Sequence, residues 1–103
     1  MRARKRAPAH PGRIIKGLYL EEFSITISDL AKVLGVSRKT VSKIVNERGA
    51  ISSGMALRLS RAFNTSPELW LNLQRNYDLW HASHDSSDWK NVKPVRMQAD
   101  VPA

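Results

Sequence analysis

The chain is 103 residues long with 42% apolar residues, which suits one modest globular core. It contains no cysteine, so disulfide frameworks, thiolate nucleophiles and Cys-ligated zinc are excluded, and no apolar run approaches the ~20 residues that cross a bilayer. Lys and Arg number 17 against nine Asp and Glu, and the resulting net charge of +8 points to a polyanionic partner, while the lack of cysteine fits a cytoplasmic setting.

Residues 1–10 carry four cations, Arg2, Arg4, Lys5 and Arg6, with no anion and no apolar stretch behind them. The segment reads as a disordered basic arm rather than a secretory leader. It has two uses in prospect, contact with phosphates or a minor groove, or simple solubility. Pro11 suits the first position of a helix, and Ile14, Ile15 and Leu18 follow at helical spacing up to Glu21 and Glu22. Thr26 with Asp29 forms a start signal for a second helix, whose inward stripe is Leu30, Val33 and Leu34 and whose end is Gly35. Ser37 caps a third helix running to about Asn46, with Val41, Ile44 and Val45 facing inward.

After a loop around Gly49, Ser52 or Ser53 opens a fourth helix with Met55, Leu59, Ala62 and Phe63 at core spacing. Thr65-Ser66-Pro67-Glu68 opens a fifth, expected to run to about Ser83. The expectation is an all-α domain of five helices over residues 11–83, followed by a tail over 84–103 rich in Asp, Ser and Asn. Helix five carries Leu69, Trp70, Leu71, Leu73, Tyr77, Leu79 and Trp80 around more than one face, more than a small core absorbs. Trp70, Leu71, Tyr77 and Trp80 are therefore candidates for a dimer interface, with burial in the core as the competing reading for the two tryptophans.

The densest functional signal lies between residues 26 and 46. Ala31 is small where the next helix must cross, Gly35 stands where the turn requires a left-handed backbone, and Leu30, Leu34, Val36, Val41 and Ile44 clamp the two helices. Two short helices on a glycine turn make a helix-turn-helix. The outward residues of the third helix, Ser37, Arg38, Lys39, Ser42, Lys43 and Asn46, all form hydrogen bonds of the kind that read base edges in a major groove. Its N-terminal side chains Arg38, Lys39 and Ser42 are the first candidates for base readout. On the second helix, Thr26, Ser28 and Lys32 are placed to grip the DNA backbone.

At these residues the sequence resembles the lambda-repressor-like (Cro type, XRE) helix-turn-helix class. His10-Pro11-Gly12, Ile44-Val45-Asn46, Met55-Ala56-Leu57-Arg58-Leu59 and Ser66-Pro67-Glu68-Leu69-Trp70-Leu71-Asn72-Leu73-Gln74 with Tyr77-Asp78-Leu79 are similar to the HigA/VapI antitoxins. The resemblance covers about residues 10–80. It implies a five-helix lambda-repressor-like fold, a homodimer that represses its own operon on double-stranded operator DNA, and a RelE-like, mRNA-cleaving HigB toxin as partner. The chain departs from that pattern at Arg13, where the family usually has an acid, and at Glu47, where it usually has glycine.

Two other readings stand beside this one. A free-standing transcriptional regulator of the same fold needs no toxin. A metal-dependent nuclease would use His81 and His84 with Asp85 and Asp88, but no third imidazole is fixed nearby and no cofactor motif or catalytic signature occurs. An enzyme is therefore not expected. Binding to duplex RNA is disfavoured because the deep A-form groove is closed to a helix.

Overall fold

The computed structural model describes residues 6–96. Five α-helices follow in order: α1 (Pro11–Ile14), α2 (Ile27–Leu34), α3 (Arg38–Val45), α4 (Ser53–Phe63) and α5 (Pro67–Asp85). A π-helical segment, Ile15–Glu21, continues α1, and a short 3-10 turn, Asp88–Asn91, follows α5. There is no strand among the described residues.

Each α-helix after the first begins on a hydroxyl. Thr26 and Asp29 make a reciprocal capping box, with Thr26 Oγ1 accepting from Asp29 N at 3.0 Å and Asp29 Oδ2 accepting from Thr26 N at 3.2 Å. Ser37, Ser52 and Ser66 accept from Thr40 N, Met55 N and Leu69 N. Of the two candidate caps for α4 the structure uses Ser52. The Thr26 hydroxyl and then the Thr26 backbone N–H beside it hold Asp29's carboxyl below its ordinary range, since donors to a carboxylate favour the ionised form.

The helix ends share one device. The backbone turns left-handed at Ser24, Gly35, Glu47 and Asn64, with φ of 53°, 71°, 61° and 55°. The following N–H then reaches back five residues: Ile25 to Leu20 O, Val36 to Ala31 O, Arg48 to Lys43 O and Thr65 to Ser60 O, at 2.8–3.1 Å. Gly35 adopts this conformation without a Cβ penalty, whereas the other three positions bear it.

The core is one cluster: Ile15, Leu20, Leu30, Ala31, Leu34, Val41, Ile44, Val45, Ile51, Met55, Ala56, Leu59 and Trp70. Burying each large aliphatic side chain contributes roughly 1.5–3 kcal/mol. Two inward assignments are corrected. Leu18 is exposed, because the π winding brings the residue five positions on beneath Ile15, and Leu20 takes the inner place. Val33 is 68% exposed, because the inner face of α2 is centred on Leu30, Ala31 and Leu34. Val36 is half-buried against the cluster rather than within it.

Ordered packing also starts earlier than the expected boundary at residue 11. Pro8 and His10 are already buried. His10 caps α1, its Nδ1 accepting from Gly12 N at 2.9 Å, and its ring meets Tyr77 of α5 edge-on at 4.8 Å. A Cβ on Gly12 would collide with the carbonyl oxygen of Ile44, so glycine is what lets α1 lie directly on α3.

Candidate nucleic-acid interface

The third helix is held from three sides. Beneath it, Val41, Ile44 and Val45 enter the core. At its start, Arg58 of α4 donates to Leu34 O at 2.7 Å and so ties the end of α2, just before the turn, to the scaffold. At its exit, Gln74 of α5 accepts from Ile51 N at 2.9 Å and donates to Asp78 Oδ1 at 2.9 Å. Burial lowers the basicity of His10, and the nearby carboxylates of Glu47 and Asp78 oppose that effect only partly. A neutral ring with Nδ1 as acceptor fits the capping bond.

The free side of α3 forms a shallow cleft of about 360 Å³, lined by Arg38, Lys39, Ser42, Lys43, Asn46 and Arg48. Five of these six were expected from the sequence. Arg48 was not, because it lies beyond the helix. The left-handed turn at Glu47 brings it back to the cleft, with its N–H on Lys43 O. The lining has four cations and no acid, and among the described residues the sole ion pair, Arg13 with Glu47 at 3.8 Å, lies outside it. Asn46 Nδ2 donates to Ser42 Oγ at 3.2 Å, which fixes the amide at the cleft's end.

Ser37 does not line the cleft, and its oxygen serves Thr40 N at 3.1 Å and Thr40 Oγ1 at 2.8 Å. Thr26, Ser28 and Lys32 are exposed on α2, also outside the cleft, and Thr26 Oγ1 is engaged as a cap. In the arm, Arg6 is exposed, while Arg2, Arg4 and Lys5 lie outside the described residues.

The comparisons locate the same half of the molecule. The helix-turn-helix family profile matches residues 18–70, from the π segment to the first turn of α5. An uncharacterized HTH-type transcriptional regulator of Haemophilus influenzae is 43% identical over 93% of this chain and 92% of its own length. This chain belongs to the helix-turn-helix family. Within the family it is similar to antitoxin HigA-1 of Vibrio cholerae, at 38% identity over 100% of this chain and 98% of that one. It also superposes on the Pseudomonas aeruginosa antitoxin HigA solved with the higBA promoter, with TM-score 0.76, 41% identity, and coverage of 86% of this chain and 99% of that one. The family is one of DNA-binding proteins rather than enzymes.

The remaining candidates sort by burial. Trp70 is fully buried, donates to Thr65 Oγ1 at 2.7 Å and packs near the stacked pair Tyr19 and Phe63, so its place in a dimer interface is corrected to the monomer core. Leu71, Tyr77 and Trp80 are half-buried. The two histidines of the nuclease reading are taken up by local contacts: His84 stacks on Trp80 at 3.9 Å and touches Trp80 O, and His81 lies against Tyr77 and Trp80. Among the described residues no group of three possible ligands surrounds a metal position, and no helix is long and apolar enough to cross a membrane.

Proposed function

We propose that this chain is the antitoxin and operator-binding repressor of a toxin–antitoxin pair, acting in the cytoplasm as a homodimer. The observation that carries the DNA half of this reading is the acid-free cleft on α3, where Arg38, Lys39, Ser42, Lys43, Asn46 and Arg48 converge. Arg and Lys donate to guanine O6 and N7, Asn bridges adenine, and the four cations supply phosphate attraction. Thr26, Ser28 and Lys32, exposed on α2, serve as contacts to the DNA backbone, and the cations Arg2, Arg4, Lys5 and Arg6 of the N-terminal sequence add further contacts to phosphates or a minor groove. A single short helix reads few base pairs, and a two-fold pair doubles the site at half-sites about one helical turn apart. Leu71, Tyr77 and Trp80 on α5 are the residues we assign to that pairing.

The toxin half rests on similarity to proteins named HigA. It implies a RelE-like HigB partner that cleaves mRNA and is neutralised by this chain.

Binding of the purified protein to its own promoter region, against a random duplex of equal length at two salt concentrations, tests the DNA half. Preference that survives the higher salt supports base readout, and equal, salt-sensitive binding to both overturns it. The Haemophilus relative named a transcriptional regulator favours a second reading without a toxin. Co-purification of a small basic ribonuclease encoded beside this chain, with loss of its mRNA cleavage in the complex, separates the two.

A further inference from the structure

The chain beyond α5 carries a pattern that the DNA-reading domain does not use. Trp89, Val92 and Val95 recur at every third residue, and a cation, Lys90, Lys93 or Arg96, follows each of them. At Val92 the backbone has φ of −68° and ψ of 125°, close to polyproline II, and Pro94 keeps it extended. Trp89 lies in the 3-10 turn and Val92 and Val95 in the extended stretch, and since both windings take three residues per turn the apolar residues fall along one edge and the cations along the next. Trp89, Val92 and Val95 are 53%, 75% and 74% exposed. Their chain offers them little: Trp89 Nε1 reaches Ser83 O at 3.4 Å, and Lys90 lies over the Trp89 ring at 5.6 Å.

A surface of matching chemistry lies on α5. An open groove of about 590 Å³ is lined by Ile51, Leu71, Leu79 and Ala82, with Gln74, Arg75, Asp78 and Ser53 on its walls. Leu79 in it is 66% exposed. Gln74 holds Asp78 Oδ1, and Asp78 is exposed. Arg75 is the sole cation on the walls. The groove follows α5 from Leu71 to Ala82, roughly 17 Å of helix, and the strip from Trp89 to Arg96, a 3-10 turn to Asn91 and extended beyond it, spans roughly 18 Å. Its own strip leaves the far end of the helix and stays exposed from Ser86 to Arg96, so it does not fold back onto it.

We propose that the strip Trp89–Arg96 docks into the α5 groove of a second copy of this chain, Trp89, Val92 and Val95 facing Leu71, Leu79 and Ala82 while the cations answer Asp78 and Asp85. The exchange is reciprocal, each copy giving one strip and receiving one, as a closed two-fold pair requires. The three cations of the strip face the carboxylates of Asp78 and Asp85 along α5, and Leu71 of the groove already belongs to the surface assigned to pairing, which together favour a second copy as occupant. This rests on the self-association proposed above.

The test uses the full chain, its W89A/V92A/V95A variant, and two single-cysteine variants, Val92→Cys and Leu79→Cys, in a sequence that has no other cysteine. Sedimentation equilibrium should show a dimer whose dissociation constant rises on the order of tenfold or more in the triple variant. Mixing the two cysteine variants under oxidation should give a disulfide between different chains. A dimer of unchanged affinity in the triple variant, or absence of the mixed disulfide, overturns the strip as the contact while leaving self-association standing. A full chain that stays monomeric overturns self-association and the strip together. Loss of operator affinity in the triple variant at concentrations where it is fully dimeric makes the strip a DNA contact and overturns the docking.

Discussion

The helix-turn-helix and helix α5 obey different rules. Between Thr26 and Asn46 nearly every residue has a local reason for its identity: a cap, a left-handed turn, a short inner stripe or a free polar face. In α5 the same kinds of residue are sorted by what the rest of the molecule brings to them. Trp70 is fully buried and Leu79 is 66% exposed, although both are large apolar residues on one helix. Local chemistry governs the reading head, and tertiary packing governs the support behind it.

The sharpest way to break that comparison is at Trp70. Trp70→Ala should cost about 3–5 kcal/mol of unfolding free energy, read from the urea midpoint, because it opens a cavity beneath Tyr19 and Phe63 and orphans the Thr65 hydroxyl. A loss below about 1 kcal/mol would mean that α5 is not part of the core. Gly12→Ala comes next, with about 2–3 kcal/mol lost and operator binding weakened alongside, since the new Cβ pushes the Ile44 backbone and thereby α3. A variant as stable as the parent would show that α1 and α3 are not in contact at this point.

On the reading head the expected effects lie in binding rather than folding. Arg38→Ala should cost about 1–3 kcal/mol of operator affinity and flatten the preference for one base position, whereas Arg48→Ala should weaken all duplexes alike and lower the salt slope by about one. Titrations on single-base operator variants distinguish the two patterns. Identical behaviour of the two variants would merge them into one phosphate surface.

Smaller effects are expected at the seam between the regions. Glu47→Gly should raise stability by up to about 1 kcal/mol, because the left-handed backbone at φ 61° then carries no Cβ, while only an exposed ion pair to Arg13 is lost. Stability should also fall with acid in a defined window. Since burial lowers His10 below 6.5 in the folded chain, the unfolded chain takes up a proton first as pH drops through 6.5, and stability declines until the folded value is reached. His10→Asn keeps an oxygen acceptor for the cap and should remove this part of the slope in melting temperature against pH. Asp29, lowered below 3.8 by the Thr26 hydroxyl and backbone N–H, adds a further loss as pH falls below that value.

These contrasts explain what the sequence made legible. The caps, Gly35 and the polar face of α3 could be read because each needs only neighbours within a few positions. Leu18 could not, since a π winding has no mark in the residue pattern that separates it from an α-helix. Arg48 was hidden by a turn made at a residue, Glu47, that does not favour it. The roles of His10 and Gln74 depend on partners more than 20 positions away, Tyr77 and Ile51, and no periodicity reveals such pairs. Trp70 was open to two readings because an aromatic residue on a helix suits an interface as well as a core.

Gln74 belongs to two surfaces at once. Its amide oxygen fixes Ile51, where the loop leaving the recognition helix ends, and its side chain forms part of the wall of the α5 groove. Whatever occupies that groove rests on the peg that tethers the reading head. If occupancy changes the grip on the operator by some factor, the operator-bound chain must hold that occupant differently by the same factor, because linkage between two binding equilibria has no preferred direction. DNA then becomes an effector of the protein's assembly, and assembly an effector of its hold on DNA.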